Sequence, residues 1–506
     1  MRHRAQISAC VAGLALTLTI GCDQKPSRKA GKDKPPPPPP TSPTAPDPAP
    51  AKAVTPPAPL APLAADPGGA TGTPQWGVGF GGAASDIARG VAFGPDGTIY
   101  VAGDFEDAAT FGSLGERTSA GKSDAFVAAI GADGKPAWVK TLGGPNEESG
   151  DAIAVGADGT IAVGGLFSDT MKVDAIEARS NGSDDLYVAA YAPDGAAKWL
   201  WTTGGKASDT TLALAATADG GFVAGGAFFG TVPFGTGELT AIAREEAFLV
   251  KLDSGGNVAW ARSFGGDLDD RIVKVAVDPQ GSIVALALFQ GKASFGGEQL
   301  ESAGGFDLAV VKFDAEGHHL WSHRLGGAFD EVAGGIAVDV AGNVAISGAF
   351  DDKLVDGDQT FTSNGESDIL VARFTPDGAR SWIRTWGGRR EDVGQGAAAD
   401  AAGNIIATGW FQQKVDFGGP YKLESNDLNK DVVVVKLDAA GQVVWVQTLG
   451  DHDHDQGRAV AVDAAGDVAV AGIFRFHMKL PTPIESVHAP AERAPKADAF
   501  VVRLAR

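Results

Sequence analysis

The chain has 506 residues, of which 42 are basic and 63 are acidic, so its formal net charge at pH 7 is −21. Because nucleic-acid binding needs a basic surface that neutralises phosphates, this charge argues against DNA or RNA as a partner. The two cysteines, Cys10 and Cys22, both lie near the amino terminus. The rest of the chain therefore has no residues for a disulfide, a thiolate metal site or a cysteine nucleophile.

The first 22 residues have the pattern of an export signal. Two arginines fall among the first four residues, residues 7–20 form a predominantly apolar run, and Cys22 follows closely. The run is too short to span a membrane and is typical of a signal peptide. Its end resembles a bacterial lipobox, with Thr19 at a position where leucine is usual. This resemblance implies that Cys22 is lipidated and becomes the new amino terminus; ordinary secretion is the alternative.

Residues 23–73 form a predicted disordered tether. Fifteen of the 29 prolines fall between Pro35 and Pro67, interleaved with alanine, serine and threonine. Such a segment cannot bury a core and favours an extended polyproline II chain, at about 3.1 Å per residue. Five basic residues between Lys25 and Lys34 could attract an anionic surface beside the lipid, although a solvated linker with incidental charge is the alternative.

Residues 74–506 contain a repeat that is marked by tryptophan. In each copy a glycine follows the tryptophan by five residues, and successive tryptophans are 61 to 63 residues apart. The repeated residues are Trp76, Trp138, Trp199, Trp260, Trp321, Trp382 and Trp445. Self-similarity at a fixed period indicates that one supersecondary unit is copied and that the copies bury their apolar faces against each other.

Each copy predicts two hairpins and no helix. The first hairpin joins an apolar run, such as residues 91–93, to a strand such as residues 98–105 across a glycine-containing turn. The second joins a strand such as residues 431–437 to the tryptophan strand. Gly103 and its counterparts are expected where neighbouring backbone approaches closely. Seven such units predict an all-β fold, a seven-bladed β-propeller of four-stranded antiparallel blades, with an open β-solenoid as the competing architecture.

The ends of the repeat region predict how the propeller closes. The last copy has a third strand beginning at Asp498 but no tryptophan strand, whereas Trp76 lies on a tryptophan strand with no hairpin before it. Pairing of residues 75–80 with residues 498–506 would let the amino-terminal strand complete the carboxy-terminal blade. Such closure leaves no bare sheet edge.

Acidic residues recur at two positions of the repeat. One opens the third strand: Asp124, Asp185, Glu246, Asp307, Asp368, Asp431 and Asp498. The other follows a glycine-led pair in a loop: Asp86, Glu148, Asp209, Asp270, Glu331, Asp392 and Asp455. Both positions fall on one face of the predicted disc, so they could form an acidic loop face that binds Ca²⁺ or a basic partner. The alternative, favoured by recurrence in every copy, is that each carboxylate accepts backbone N–H bonds in its own loop and ties adjacent blades together.

One loop departs from the repeat and carries histidine. Asp451, His452, Asp453, His454 and Asp455 offer nitrogen and oxygen ligands to a metal ion. Alternating residues in an exposed loop rarely converge on one ion, so we predict no metal site in this loop. We also predict no cofactor for the chain, and Ca²⁺ is the one cation considered. Three further histidines lie close to Trp321, and we do not predict that they bind a metal ion either: His318, His319 and His323.

The complete repeat resembles a known family. It reads W-x4-G-G, an acidic residue, an apolar run, D/A-x-G-N, V-A-x-x-G-x-F and D-x-x-V-x-K-x-D-x-x-G-x-x-x-W, with clear instances at residues 307–321 and 431–445. This pattern is similar to that of the bacterial seven-bladed β-propeller repeat (SBBP) family over residues 74–506. The resemblance implies a secreted or surface-associated propeller with an interaction role, and it carries no catalytic set.

These features predict a lipid-anchored protein of the cell envelope, at the outer membrane or cell surface, that binds a protein or glycan partner through its loop face. No catalytic residue is predicted, and the sequence contains no nucleophile motif, phosphate loop or metalloprotease motif. The alternative is a glycan hydrolase or lyase that uses two carboxylates from different blades. One deep pocket with unequal carboxylates would favour catalysis, and a broad shallow face would favour binding.

Overall fold

Antiparallel β-strands account for nearly all the regular structure. The structure, a computed structural model, describes residues 72–425, 429–451, 453–486 and 496–506. Within these ranges there is one short 3₁₀ helix, Gly112–Leu114, and no α-helix. Among the residues described, no helix is long and apolar enough to cross a membrane. The predicted signal peptide, the lipidation at Cys22 and nearly all of the predicted tether lie outside the described residues.

The strands up to residue 266 comprise three copies of the repeat and one strand that precedes them. They are β1 (Pro74–Gly82), β2 (Asp86–Phe93), β3 (Ile99–Thr110), β4 (Glu116–Ile130), β5 (Pro136–Leu142), β6 (Ala152–Val155), β7 (Ile161–Val173), β8 (Ile176–Tyr191), β9 (Ala197–Thr203), β10 (Thr210–Ala216), β11 (Phe222–Pro233), β12 (Glu238–Leu252) and β13 (Val258–Gly266).

The next three copies and the last copy follow in the same manner. The strands are β14 (Asp270–Val277), β15 (Ile283–Phe289), β16 (Lys292–Ser294), β17 (Leu300–Glu301), β18 (Asp307–Phe313), β19 (His319–Leu325), β20 (Val332–Val338), β21 (Val344–Asp356), β22 (Gln359–Phe374), β23 (Arg380–Trp386), β24 (Val393–Ala399), β25 (Ile405–Gln412), β26 (Lys414–Asp416), β27 (Lys422–Glu424), β28 (Lys430–Leu437), β29 (Val443–Leu449), β30 (Gln456–Val462), β31 (Val468–Phe474), β32 (His477–Met478), β33 (Ile484–Glu485) and β34 (Asp498–Leu504).

Each copy forms a four-stranded antiparallel sheet whose strand order follows the chain. β6 to β9, β14-β15-β18-β19, β20 to β23 and β24-β25-β28-β29 are separate sheets, and β10 to β13 form the same arrangement with β16 and β17 added at the edge. β2 to β5 also pair in order. In the last copy β34 pairs with β1, so that Val78 lies opposite Val501. The fourth strand of that sheet therefore comes from the amino-terminal end of the described residues.

The middle strands are continuous apolar runs because both of their faces are covered. Every residue of β15 is buried, and alternate residues face different neighbours. Ile283 packs in one core with Val223 of the preceding sheet, whereas Val284 packs in another with Ile346 of the following sheet. The same sharing of cores joins the last sheet to the first, where Val501 packs with β2 and β3 residues. This stacking of repeated four-stranded sheets is that of a β-propeller, as predicted.

The first strands of the sheets meet near a common centre. β2, β6, β10, β14, β20, β24 and β30 each contact the next strand in this order, and β30 also contacts β2. Gly103, on the neighbouring second strand, shows why the repeat needs a small residue there: an added Cβ would lie 1.8 Å from the carbonyl oxygen of Ile87. The close backbone approach expected at this glycine is therefore present.

The connection between the second and third strands is longer and more regular than the sequence predicted. The predicted strand ended at Phe105, whereas β3 continues to Thr110 and pairs with a matching extension of β4. The register shifts between Glu106 and Ala108, and Asp107 between them has a left-handed φ of 54°. A bulge of this kind bends the strand pair, and its polar, half-exposed residues gave no apolar run to recognise.

The tryptophan of each fourth strand docks on a turn of the next sheet. Trp321 Nε1 donates to the carbonyl oxygen of Pro376 at 3.0 Å. Lys312 Nζ donates to the same oxygen at 3.2 Å and forms a buried ion pair with Asp278 at 2.8 Å. Five other tryptophans donate to the equivalent carbonyl at 3.0 to 3.2 Å: Trp76, Trp138, Trp199, Trp260 and Trp382. Six of the seven tryptophans thereby join their sheet to its neighbour by a hydrogen bond.

Trp445 is the exception among the seven tryptophans. Its ring is buried and lies against Gly72, where an added Cβ would be 2.8 Å from the ring. Its Nε1 has no acceptor among the described residues. The position that a turn occupies elsewhere is taken here by β1 and β34, since Ala505 N–H donates to Thr73 O across the junction at 2.9 Å.

The docking of the Trp321 ring can be tested at Gly378, the glycine that the ring packs against. Gly378 and Gly281 both occupy turns with left-handed φ, 88° and 86°. A Cβ on Gly378 would lie 2.7 Å from Trp321, whereas a Cβ on Gly281 would meet nothing within 4 Å. We expect Gly378→Ala to lower the free energy of unfolding by about 1–3 kcal/mol more than Gly281→Ala, because only the first displaces the indole. Thermal melts of the two variants measure this difference, and equal losses would contradict the docking.

Candidate functional site

The seven loop acids are buried rather than displayed on a face. Their relative exposures are 0 to 3 %, and the residues are Asp86, Glu148, Asp209, Asp270, Glu331, Asp392 and Asp455. They turn inward because their own loops offer backbone donors: Gly82 N–H donates to Asp86 Oδ2 at 2.8 Å and Gly388 N–H to Asp392 Oδ2 at 2.6 Å. These residues therefore do not form the exposed acidic face that was one of the two hypotheses.

The acids that open the third strands lie beside the loop acids. Asp124 accepts the N–H of Ala120 at 3.0 Å, and its charge contributes to the raised pKa of Glu148. A Cβ on Gly143 would lie 2.1 Å from the Asp124 carboxyl carbon, and a Cβ on Gly144 would lie 1.6 Å from a backbone carbonyl. The glycine pair of the repeat is thus required by packing against one carboxylate and against the neighbouring hairpin.

Burial changes the protonation of the loop acids. It raises the pKa of Asp86, Glu148 and Asp270 to about 8, and the neighbouring acid of the third strand adds to the effect. Burial and the charge of Asp307 together raise the pKa of Glu331 to about 9. These carboxyls hold protons at pH values where exposed carboxyls are ionised, which suits a hydrogen-bonding role within the protein.

The histidine loop does not gather its side chains on one point. Its described members are Asp451, Asp453, His454 and Asp455, and His452 lies outside the described residues. Asp451 Oδ2 contacts His477 Nε2 at 2.6 Å, whereas Asp453 Oδ1 lies 3.6 Å from Arg475 Nη1. In the part of the chain that the structure describes, no group of three or more His, Cys, Asp or Glu side chains could hold a metal ion.

The three histidines around Trp321 also have separate partners. His318 Nδ1 lies 3.0 Å from Asp314 Oδ2, and His323 Nε2 lies 2.6 Å from Asp356 Oδ1. Burial lowers the pKa of His319. The structure does not bring these histidines together as a ligand set.

A cavity of about 160 Å³ lies where the first strands meet. Its polar lining comes from different sheets: Arg89, Asp151, Lys274, Gln395 and Arg458. Leu212 and Gly334 occupy corresponding positions in other copies. The lining therefore differs from one copy to the next, unlike the acids and tryptophans of the repeat.

The charged side chains in this central cavity interact with each other. Arg89 Nε contacts the carboxylate of Asp104 and lies 3.5 Å from Asp151 Oδ1. Ser149 Oγ donates to Asp151 Oδ2 at 2.7 Å. Burial raises the pKa of Asp151 although the Arg89 charge opposes the shift, and burial lowers the pKa of Lys274. The cavity therefore holds charges that water solvates poorly.

Sequence reasoning missed these cavity residues because it looked for positions that recur. The useful signal was a position whose residue differs from one copy to the next. Arg89, Asp151 and Arg458 occupy the same position in their copies, three residues after the loop acid, where another copy has leucine. A charged residue inside an otherwise apolar first strand marks a position whose role differs between copies.

Exposed apolar side chains form a second feature at the loop end of the sheets. Ile242, Leu268 and Phe329 are 72 %, 42 % and 43 % exposed, and we refer to these three residues as the apolar loop patch. Ile242 lies in the outer part of β12, whereas Leu268 and Phe329 lie in the loops that precede β14 and β20. Leu268 and Phe329 occupy equivalent positions, two residues before the loop acids Asp270 and Glu331. Exposed apolar side chains that recur at one end of neighbouring sheets are candidates for an interaction site.

The loops that carry the apolar loop patch are in contact. Glu245 N–H donates to Asp269 Oδ1 at 3.3 Å, and Phe306 N–H donates to Asp330 Oδ1 at 2.8 Å. The guanidinium of Arg271 lies 4.8 Å from the centre of the Phe306 ring. These contacts connect β12 with the loop before β14, and the segment at Phe306 with the loop before β20.

Comparisons with known proteins give distant similarities. No family model matches the chain. Over 251 residues, 44 % of this chain, it is 22 % identical to the uncharacterized WD repeat-containing protein L264 of Acanthamoeba polyphaga mimivirus, and the match covers 18 % of that protein. Over 222 residues, 42 % of this chain, it is 24 % identical to regulatory protein FlaEY of Caulobacter vibrioides, covering 23 % of that protein. The chain therefore spans about a fifth of the length of these curated relatives.

Among solved structures, the WD40 domain of Neurospora crassa Pan2 aligns with 83 % of this chain and 89 % of its own length. The identity is 10 % and the TM-score is 0.38.

The buried acids predict how stability depends on pH. Carboxyls of the unfolded chain have a pKa of about 4, whereas Asp86 and Glu148 titrate at about 8 in the folded protein. The folded state therefore binds more protons over this interval, so the free energy of unfolding falls as pH rises from about 4 to about 8. Each such group contributes up to about 1.4 kcal/mol per pH unit. We expect a higher melting temperature at pH 5 than at pH 8.

The matched variant for this experiment is Asp392→Asn. Asp392 has a pKa of about 7, and asparagine keeps an oxygen that can accept the N–H of Gly388 without titrating. The difference in melting temperature between pH 5 and pH 8 should be smaller in this variant. A wild-type protein that melts equally at the two pH values would contradict the proton binding assigned to these acids.

Proposed function

We propose that the chain is a lipid-anchored protein of the cell envelope whose seven-bladed β-propeller binds a partner through its loop face. The observation that carries the binding role is the apolar loop patch, because exposed apolar side chains on contacting loops are typical of interaction sites. Their apolar character favours a protein partner over a polysaccharide. The repeat pattern of residues 74–506 remains the basis for placing the chain in the SBBP family.

The seven-bladed, closed form of the propeller is part of this proposal. It is supported by the pairing of β1 with β34 and by the contact between β30 and β2. A closed ring leaves no unpaired edge at the junction. It also presents the loops of neighbouring sheets on one face, which is the geometry that a broad partner surface requires.

Closure can be tested by an engineered disulfide between β1 and β34. Opposed residues of antiparallel strands have Cα atoms about 4.5–5.5 Å apart, within the range that disulfides span. In a chain with Cys10 and Cys22 replaced by alanine, Val78→Cys and Val501→Cys should therefore cross-link. The diagonal pair of Val78→Cys and Ala499→Cys, about 7–8 Å apart, should not. Peptide mass spectrometry without reduction measures both, and equal behaviour of the two pairs would contradict closure.

The enzyme alternative has less support than binding. Most of the recurring carboxylates accept backbone N–H bonds within their own loops, as Asp124 and Asp392 illustrate. A glycan hydrolase requires two carboxylates on opposite sides of one bond, with one of them free to donate a proton. The recurring acids instead stabilise loops, so we assign them a structural role.

One experiment tests the anchor and the binding surface in the same cells. Full-length tagged protein is expressed with labelled fatty acid, and the envelope fraction is cross-linked before capture. The lipidated cysteine should be Cys22, so Cys22→Ala should lose the label and leave the membrane fraction, whereas Cys10→Ala should retain both. Unchanged labelling of Cys22→Ala would remove the lipid anchor from the proposal.

The second arm replaces the patch residues together by Ile242→Ser, Leu268→Ser and Phe329→Ser. Capture of the partner should fall by about tenfold or more, since a few apolar side chains carry most interface energy. Val340→Ser is the matched control, because Val340 is 65 % exposed but lies in the turn after β20, at the opposite end of the sheet. Equal capture by the patch variant and the control would contradict binding through the loop face.

A further inference from the structure

The central cavity contains more positive than negative charge, in a protein whose net charge is strongly negative. Three cationic side chains line it, Arg89, Lys274 and Arg458, and they come from the first strands β2, β14 and β30 of three different copies. Asp104 and Asp151 interact with Arg89, and the charge of Asp151 also acts on Lys274. Poorly solvated charge of one sign is unfavourable unless a counter-charge is present.

Lys274 is the cation with the least compensation. Arg89 forms ion pairs with both Asp104 and Asp151. Lys274 Nζ has no hydrogen bond or ion pair within the described ranges. Burial lowers its pKa, the charge of Asp151 opposes that shift, and the charges of Arg89 and Arg458 add to it. An ammonium group with three donors and no acceptor within hydrogen-bond distance is suited to bind an anion.

The strands direct polar side chains to this cavity through a bulge. The register between β2 and β3 shifts between Ala88 and Gly90, which leaves Arg89 as the additional residue. The register between β30 and β31 shifts in the same way around Arg458. Bulges redirect side chains away from the regular faces of a sheet, and both of these arginines line the cavity.

We propose that the central cavity binds one small oxyanion through Lys274, Arg89 and Arg458. The volume of about 160 Å³ accommodates a phosphate or a small carboxylate together with some water, since one water molecule occupies about 30 Å³ of the liquid. Guanidinium groups bind phosphate and carboxylate oxygens in a planar, two-point geometry, and lysine adds a point charge. Gln395 provides an uncharged amide donor in the same lining.

This site is independent of the apolar loop patch. The patch lies in β12 and in the loops that precede β14 and β20, whereas the cavity is lined by the first strands themselves. Failure of the oxyanion proposal therefore leaves the proposed partner surface unaffected, and the reverse also holds.

The test uses full-length protein and isothermal titration calorimetry at constant ionic strength. The probes are inorganic phosphate in one arm and succinate in the other, with sodium chloride as the reference salt. We expect saturable binding of one ion per protein in at least one arm, and the arm with the tighter binding distinguishes phosphate from carboxylate. Lys274→Met should weaken binding by about tenfold to hundredfold, because a charge-assisted hydrogen bond is lost.

Two further variants separate a site from general charge effects. Lys206→Met removes an exposed lysine outside the cavity and should bind as the wild type does. Asp151→Asn removes an opposing carboxylate and should bind about tenfold more tightly. Thermal melts without added anion establish that each variant is folded. Absence of saturable binding to the wild-type protein in both arms, or equal weakening by Lys206→Met and Lys274→Met, would overturn the proposal.

Discussion

The hydrogen bond from the fourth-strand indole to the next sheet's turn is the contact on which the remaining architecture depends. Pro376 O accepts from both Trp321 and Lys312, so one carbonyl links a third strand and a fourth strand to the following sheet. Ala439 O accepts in the same way from Trp382 and Arg373. Each bond contributes about 1 kcal/mol net, but its geometry fixes the distance between sheets. The spacing of 61 to 63 residues places one such tryptophan in each copy of the repeat.

The opposite ends of the sheets are held by a different interaction, the pair of buried carboxyls. Six of the seven loop acids, all except Glu331, accept a backbone N–H from the start of their loops. Acids that open the third strand, such as Asp124, pack against a glycine of the glycine pair. The loop is therefore constrained at its two ends and free between them. Residues such as Leu268 and Phe329 occupy the free interior, where the fold requires no particular side chain. Variation that serves binding can accumulate there without loss of the scaffold.

The sequence predicted the sheets well because their determinants are periodic. Apolar runs identified the middle strands, such as β15. The pairing of β1 with β34 supports the closure that we propose. The sequence did not predict the extension of β3, since Asp107 forms a bulge among polar residues. It also left the direction of the loop acids open. A carboxylate that points into the protein and one that points to solvent have the same spacing in the sequence. The backbone donors of the folded loop, such as Gly82 N–H, determine which of the two directions the side chain takes.

Recurrence in every copy distinguishes the structural residues of this chain from candidate functional residues. Residues that recur in every copy, such as Trp321 and Asp392, each have a packing or hydrogen-bonding partner that explains the recurrence. Residues that differ between copies fall into two groups: Lys312 has structural partners in Asp278 and Pro376 O, whereas others have no hydrogen bond or ion pair in the described part of the chain. Lys274 is the clearest case, because corresponding positions in other copies are alanine or glycine and the fold forms there equally well. In the proposed site an oxyanion would add to the counter-charge that Asp151 provides to Lys274.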